Sequence, residues 1–395
     1  MTQTPFGRDA RRLWLLEEGM TFLNHGAFGA TPRAVLAAQD RIRLAVERQP
    51  LRFMYAVPDA LRAAAAEVAA FVGAAGEDLA FVENTTAGVN AILRSLTLDT
   101  GDEILTADHA YGAITKSIEF VCTRAGAHLR LAQVPLPVRS PDQVVEAFAA
   151  AITPSTRLIV VDHVTSGSAL IFPVRRIVEL ADRAGIPVLV DGAHALGMLP
   201  LDLPALGATW YVANGHKWLC GPKGAAILWA NPDDPRSRAQ LHGTAISHNY
   251  LQPFPAEFDW IGTRDLSAWL SMPAALAFRR DLGDQAVRAH NDALAREGGA
   301  LLAEALGSEL TGPASMLGSI AAAEVPGLRG VTQADADVLR GLLWNEDRIE
   351  VGAPALLGRM TMRVSAQVYN ARDEYERLAA VLPRRVAQFR DVLGR

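Results

Sequence analysis

The sequence predicts an α/β protein, with a large domain whose mostly parallel sheet lies between helices and a smaller C-terminal α+β domain. Three observations carry this. Short apolar runs alternate with longer helical patterns from about residue 79 to 230. The clearest of these runs, RLIVVDH (Arg157–His163) and PVLVD (Pro187–Asp191), are almost continuously apolar, as strands buried on both faces must be. After Ala268 the texture changes to long helical patterns with only short strand-like pieces.

In chain order, Leu79–Val82 reads as a strand and Ala87–Leu96 as a helix. Glu103–Thr106 is strand-like, Ala113–Arg124 helical, His128–Val134 strand-like and Asp142–Ala151 helical. The strand Arg157–His163 precedes a helix at Val174–Ala184, and the strand Pro187–Asp191 precedes two more at Trp210–Ala213 and Ala225–Trp229. Beyond Ala268, helices are expected at Ala274–Asp281, Gln285–Ala305, Ala334–Trp344 and Asp373–Leu393, with strand-like pieces at Ile320–Val325 and Met360–Ser365. The expected organisation is a large domain at 21–268, a small domain at 269–395 and an N-terminal segment at 1–20 packing with the small domain.

Composition narrows the class. The chain has 395 residues, half of them hydrophobic, enough for a large core. Net charge is −5, from 38 basic and 43 acidic residues, with no run of five like charges. A nucleic-acid or anionic-membrane surface is therefore not expected, and the expected partner is a small molecule. The two cysteines, Cys122 and Cys220, are too few for a disulfide framework or a zinc site, so no metal is expected and the compartment reads as a reducing cytoplasm. The apolar patch Leu13–Leu16 is too short for a secretory signal, and no stretch approaches the ~20 residues of a membrane span.

Three segments follow expected strands, where ligands of open α/β sheets gather. They are Asp191-Gly192-Ala193-His194, Asn214-Gly215-His216-Lys217-Trp218 and Glu83-Asn84-Thr85-Thr86-Ala87-Gly88. Singly, each has an ordinary explanation: a turn aspartate, a solvated lysine, a helix cap. Together they supply what pyridoxal phosphate demands. The cofactor needs a lysine for its aldehyde carbon, a carboxylate for its protonated pyridine nitrogen and a cup of N–H groups at a helix start for its phosphate. No G-x-G-x-x-G follows a strand, and no G-x-x-x-x-G-K-[ST], G-x-S-x-G or H-E-x-x-H occurs, so dehydrogenase, P-loop and hydrolase readings lose their main support.

These motifs resemble the class V, fold-type I pyridoxal-phosphate family, which includes cysteine desulfurases and isopenicillin N epimerase. The similarity runs from FLNHGAFGATP (Phe22–Pro32) to RVSAQVYN (Arg363–Asn370). With DHAYGA (Asp108–Ala113), DHVTSGSALIFPV (Asp162–Val174) and GTRD (Gly262–Asp265), it points to the isopenicillin-N-epimerase-like branch. The resemblance implies that Lys217 is the Schiff-base lysine and the base that moves the Cα proton, that Asp191 pairs with the pyridine nitrogen, and that His194 lies beside the ring and its O3′. It implies that Thr85, Thr86 and the amides after them, Ala87 included, cup the phosphate with His216. Asn214 stands where relatives often carry a hydroxyl, and Ser166 where many carry an asparagine against O3′. His109 matches the stacking histidine of the desulfurases and Tyr111 the residue of the epimerase-like branch; either could stack on the ring. Thr263 is implied to reach the phosphate of a partner subunit, in a homodimer with shared sites. Arg363 is implied to grip the substrate α-carboxylate, a task suited to a bidentate guanidinium. Asn24 and His25 are implied to line the substrate pocket; for His25 a structural hydrogen bond is the alternative. His163, ending a buried strand, reads as a satisfied core histidine.

Persulfide-forming desulfuration needs a cysteine shortly before the carboxylate-binding arginine, and Asn345–Met362 contains none. The expected reaction at Cα is β-elimination from a cysteine S-conjugate or related sulfur amino acid, a carbon–sulfur lyase. An epimerase of the isopenicillin N type is the alternative, and an aminotransferase or decarboxylating enzyme the next. A cofactor-binding regulator would be expected to lose Lys217, Asp191 or Arg363, and all three are present.

Overall fold

The computed structural model describes residues 6–394; residues 1–5, part of the N-terminal segment expected at 1–20, lie outside them. The large sheet is built from β1 (Leu79–Val82), β2 (Glu103–Ala107), β3 (His128–Ala132), β4 (Thr156–Asp162), β5 (Val188–Asp191), β6 (Trp210–Asn214) and β7 (Ala226–Ala230). Their order across the sheet is β1-β7-β6-β5-β4-β2-β3. β6, β5, β4, β2 and β3 pair in parallel, and β7 runs antiparallel between β6 and β1. This is the fold-type I α/β architecture. The near-continuous apolar runs have the expected cause, since every residue of β1, β5, β6 and β7 is buried.

Parallel strands bring their C-terminal ends to one edge. Asp162 and Asp191 are register partners at the ends of β4 and β5, and Asn214 ends β6. Two helices that the sequence reading did not place, Arg33–Arg48 and Pro50–Phe71, precede β1. The second buries Val57, Leu61, Ala64, Ala65, Val68 and Ala69, spaced three, four or one apart, a helical stripe half of which is alanine.

The C-terminal part holds β8 (Ile320–Glu324), β9 (Ala355–Leu356) and β10 (Arg359–Ser365), antiparallel in the order β9-β10-β8, with the long helices Asp284–Leu306 and Arg372–Leu393. The N-terminal segment joins it: the Gly7 N–H donates to Val368 O at 2.7 Å, and buried Trp14 packs edge-on against Phe278 and Tyr369. Thr21–Phe22 pairs in parallel with Ile349–Glu350, which draws the chain's start across the cleft. Among the described residues, no helix is long and apolar enough to cross a membrane.

Candidate active site

A cavity of about 330 Å³ opens at the carboxyl edge of the sheet, lined among others by Thr85, Thr86, Tyr111, Asp191, His194 and Lys217. Asp191 is buried, and its Oδ1 accepts the Ala193 N–H at 2.9 Å. Burial raises its pKa to about 6, against the lowering pull of that N–H and of Lys217. Asp162 also lines the cavity. It is raised further, first by burial and then by the Asp191 charge, and its Oδ1 is buried without a partner. Two carboxyls on neighbouring strand ends cannot both ionise cheaply, so Asp162 keeps the proton and Asp191 the charge.

Lys217 is partly buried in the cavity wall, and burial followed by the Arg363 charge lowers its pKa to about 7. Its Nζ lies 3.1 Å from His194 Nε2, while the Trp218 indole N–H donates to His194 Nδ1 at 3.3 Å. An indole N–H can only donate, so Nδ1 must accept and the imidazole proton sits on Nε2. His194 therefore donates to the amine lone pair, an arrangement that requires neutral Lys217. Its own pKa is held well below the usual value by burial and by Lys217, which keeps the ring in this neutral tautomer.

At the start of the helix Thr85–Ser95, Asn214 Oδ1 accepts the Thr85 N–H and Asn84 Oδ1 accepts the Ala87 N–H, both at 2.9 Å. The helix N-terminus thus faces the cleft, and the Thr86 N–H has no hydrogen-bond partner among the described residues. Thr85 Oγ1 and His216 Nδ1 are buried without partners. The His216 pKa is lowered to about 4 by burial and by Lys217 and Lys223. Orphaned donors and acceptors in a buried cradle at a helix start fit a phosphate, and with Asp191 and Lys217 alongside they fit pyridoxal phosphate.

A second cavity of about 300 Å³ shares Ala27, Phe28 and Ser166 with the first. Arg363, projecting from β10, lines it and donates from one terminal nitrogen to Ser166 O at 2.8 Å and Ser166 Oγ at 3.1 Å, and from the other to Asn24 Oδ1 at 3.4 Å. Its Nε is buried without a partner. Gly352 leaves the room for it, because a Cβ there would stand 3.1 Å from that Nε. Burial lowers the Arg363 pKa to about 10, so the guanidinium stays charged near neutrality.

The structure corrects the expectations for His25, His109 and Ala87. His25 is fully buried and outside both cavities, with Nδ1 2.8 Å from the Tyr369 hydroxyl and Nε2 3.0 Å from Lys217 O. It braces the backbone of the lysine loop, the structural alternative, and burial depresses its pKa to about 3. His109 turns inward, with its nitrogens 2.8 Å from Ser168 Oγ and 3.2 Å from Val134 O, so it cannot stack in the cleft. Tyr111, half exposed, is the one of the pair that lines it. The Ala87 N–H is consumed by the Asn84 cap. Thr263 is exposed and outside this chain's own cleft, beside Arg264, which pairs with Glu83 and lies 3.8 Å over the Trp269 ring. His163 Nδ1 meets the Tyr211 hydroxyl at 2.7 Å, in the core. Asp162 and Trp218 were missed as site residues; the only signals were a second aspartate ending the neighbouring strand and an indole directly after the lysine.

The aminotransferase class-V family model matches residues 22–378. A putative L-cysteine desulfhydrase of Oryza sativa subsp. japonica is 34% identical, over 94% of this chain and 84% of its own length. Isopenicillin N epimerase of Streptomyces clavuligerus is 33% identical, over 95% and 97%. The apo cysteine desulfurase of Thermococcus onnurineus superposes with a TM-score of 0.79 at 20% identity, over 98% of this chain and all of the other, which shows the shared fold. With its lysine, acid pair and phosphate cradle at the strand ends and residues 22–378 matched, the chain belongs to the aminotransferase class-V family of pyridoxal-phosphate enzymes.

Proposed function

We propose that this enzyme is a carbon–sulfur lyase, releasing a thiol from a cysteine S-conjugate or related sulfur amino acid by β-elimination. The observation that carries the reading is the proton inventory. Elimination needs one base at Cα, whereas inversion needs an acid on the opposite face as well. Of the residues expected around the ring and the substrate that could donate a proton there, His25 and His109 are buried and hydrogen-bonded elsewhere, and Tyr111 alone lines the cleft. The desulfhydrase relative supports the same class. Persulfide transfer is not supported, because Cys122 and Cys220 are both buried and burial raises both thiols.

In this reading Thr85, Thr86 and His216 hold the phosphate, Asp191 the pyridine nitrogen, and His194 and Ser166 sit beside O3′. Bound pyridoxal phosphate supplies the electron sink for the pair left at Cα. Arg363 binds the α-carboxylate, with Ser166 and Asn24 fixing its plane. Lys217, in its neutral form, takes the Cα proton, and Tyr111 covers the ring. The enzyme acts as a homodimer in the reducing cytoplasm, with Thr263 reaching the partner's phosphate. The large and small domains at 21–268 and 269–395 meet at the cleft.

The test incubates the holoenzyme with cysteine S-conjugates. Thiol, ammonia and pyruvate are expected in equal amounts, with no opposite enantiomer. Inversion of an amino acid lacking any Cβ leaving group, with solvent deuterium at Cα and no thiol from conjugates, would overturn the reading in favour of the epimerase, with Tyr111 as its acid.

A further inference from the structure

The second cavity carries more than free cysteine can use. Beyond Arg363 it is walled by Phe22 and Phe28, and it holds a second arginine, Arg340, beside a carboxylate, Glu350. The two are tied loosely, with Arg340 donating from one terminal nitrogen to Glu350 Oε1 at 3.4 Å and from the other to Asp337 Oδ1 at 3.0 Å. Each terminal nitrogen of Arg340 keeps an N–H without a protein acceptor, and its side chain is 40% exposed. Glu350 Oε1 also accepts the Asn24 N–H at 2.9 Å, so both of its protein contacts fall on one oxygen and Oε2 remains open. The backbone of Glu350 is pinned by its pairing with Phe22, and its O accepts the Leu23 N–H at 2.9 Å.

Asn24 sets the spacing. Its Oδ1 touches Arg363 and its Nδ2 touches Glu350, so the open pair stands one amide side chain away from the α-carboxylate site. The cavity therefore offers a guanidinium and, one amide side chain away, a donor cation beside an acceptor anion, with Phe22 and Phe28 in its wall. A lone distal carboxylate would meet Glu350, and a lone distal ammonium would meet Arg340. A group bearing both charges satisfies both.

We propose, resting on the carbon–sulfur cleavage read above, that the amino acid cleaved here carries a second zwitterionic headgroup on its sulfur-borne fragment. Arg340 takes that group's carboxylate and Glu350 its cationic nitrogen. The substrate class is a thioether joining cysteine to a second amino-acid headgroup. In the overall reaction the Cα–H and Cβ–S bonds break and sulfur leaves with the bonding pair and takes up a proton. One water is consumed and ammonia and pyruvate are formed, with no external oxidant or reductant.

The test uses the wild-type holoenzyme and four probes: L-lanthionine, L-cystathionine, S-ethyl-L-cysteine and L-cysteine. Apparent Kd is read from the change in cofactor absorbance on titration, and thiol and pyruvate release are read separately. The two-headed thioethers are expected to bind about tenfold or more tighter than S-ethyl-L-cysteine, as a charge-assisted contact implies. Arg340→Gln and Glu350→Gln should each remove most of that preference, mainly through Kd and KM. Equal affinity for all four probes, or a preference that neither variant moves, would overturn the proposal. Tight, Arg340-dependent binding of two-headed probes without thiol release would leave the headgroup site standing and refute the cleavage reading instead.

Discussion

Replacing Trp218 by Phe removes one hydrogen-bond donor from the wall behind the lysine. The indole N–H has a single partner, His194 Nδ1 at 3.3 Å. Leaving a buried acceptor unsatisfied costs about 1–3 kcal/mol. Without the indole nothing holds Nδ1 as the acceptor, so the imidazole proton is free to move to Nδ1, which turns Nε2 from a donor into an acceptor toward Lys217 Nζ, 3.1 Å away. An acceptor there favours the ammonium form, and at 1.36 kcal/mol per pH unit the lysine pKa should rise from about 7 by about one unit or more. Only the neutral amine reacts with the aldehyde of pyridoxal phosphate, so the rate of cofactor loading should rise with pH through about 7 in the wild type and about one unit higher in the variant. Loading of apoprotein, followed by the absorbance of the lysine-bound cofactor from about pH 6 to about 9, measures this directly. The smaller ring should also cost about 1–2 kcal/mol of stability, so a melting curve must show the variant folded at the assay temperature. A folded variant whose loading midpoint is unmoved would refute the tautomer assignment.

Asp191→Ala should leave a cofactor that binds but activates Cα poorly, with a rate loss of at least ~10³; a near-wild-type rate would mean that another group, Asp162 first, serves the pyridine nitrogen. Mixing a Lys217→Ala chain with a Thr263→Ala chain should restore activity through heterodimers in which one site carries both lesions and the other neither; sedimentation showing an active monomer would contradict the shared site. Stability should fall as pH drops from about 6.5 towards 4, because His25 and His163, held at about 3 and about 4, stay neutral in the fold while the unfolded chain takes up protons. Asp191, raised to about 6, works the other way below that pH, so a melting temperature unchanged between pH 7 and 4 would mean that the carboxyls offset the histidines. Arg363→Ala should weaken binding and turnover for every accepted amino acid, and an unchanged KM would remove it from the carboxylate site.

What was legible in the sequence is what the backbone alone determines. A residue that ends a parallel strand must stand at the carboxyl edge, so Asp191, Asn214 and Lys217 could be placed from apolar runs and spacing. Side-chain direction in turns and short helices is set by tertiary partners, and there the reading ran out. His25 opens a four-residue helix and folds inward onto Tyr369, and His109 sits in a turn and folds onto Ser168. Nothing local distinguishes these directions from facing a ligand. The helices at Arg33–Arg48 and Pro50–Phe71 were missed for another reason. Half of the buried stripe of the second is alanine, and Pro58 interrupts a pattern that the packing tolerates.

The inward turn of His25 explains why the N-terminal NHGAFG segment belongs to the site although only Asn24, Ala27 and Phe28 line its cavities. The lysine loop is a strand-end loop, the kind of element that moves unless braced. Here it is held from three sides: His25 contacts Lys217 O at 3.0 Å, buried Arg279 donates to Trp218 O at 2.6 Å, and Gly29 lies so close that a Cβ would stand 2.0 Å from His216 O. Gly29 also has φ +68°, where a side chain is strained, so glycine is required there on two counts. Cys220 accepts a φ of +65° to close the same loop. A neutral lysine 3.1 Å from a tautomer-locked histidine requires both side chains to stay in place, and the brace behind the loop holds them there. The NHGAFG motif is therefore tied to the lysine loop through the lysine's backbone and not through substrate contact by His25.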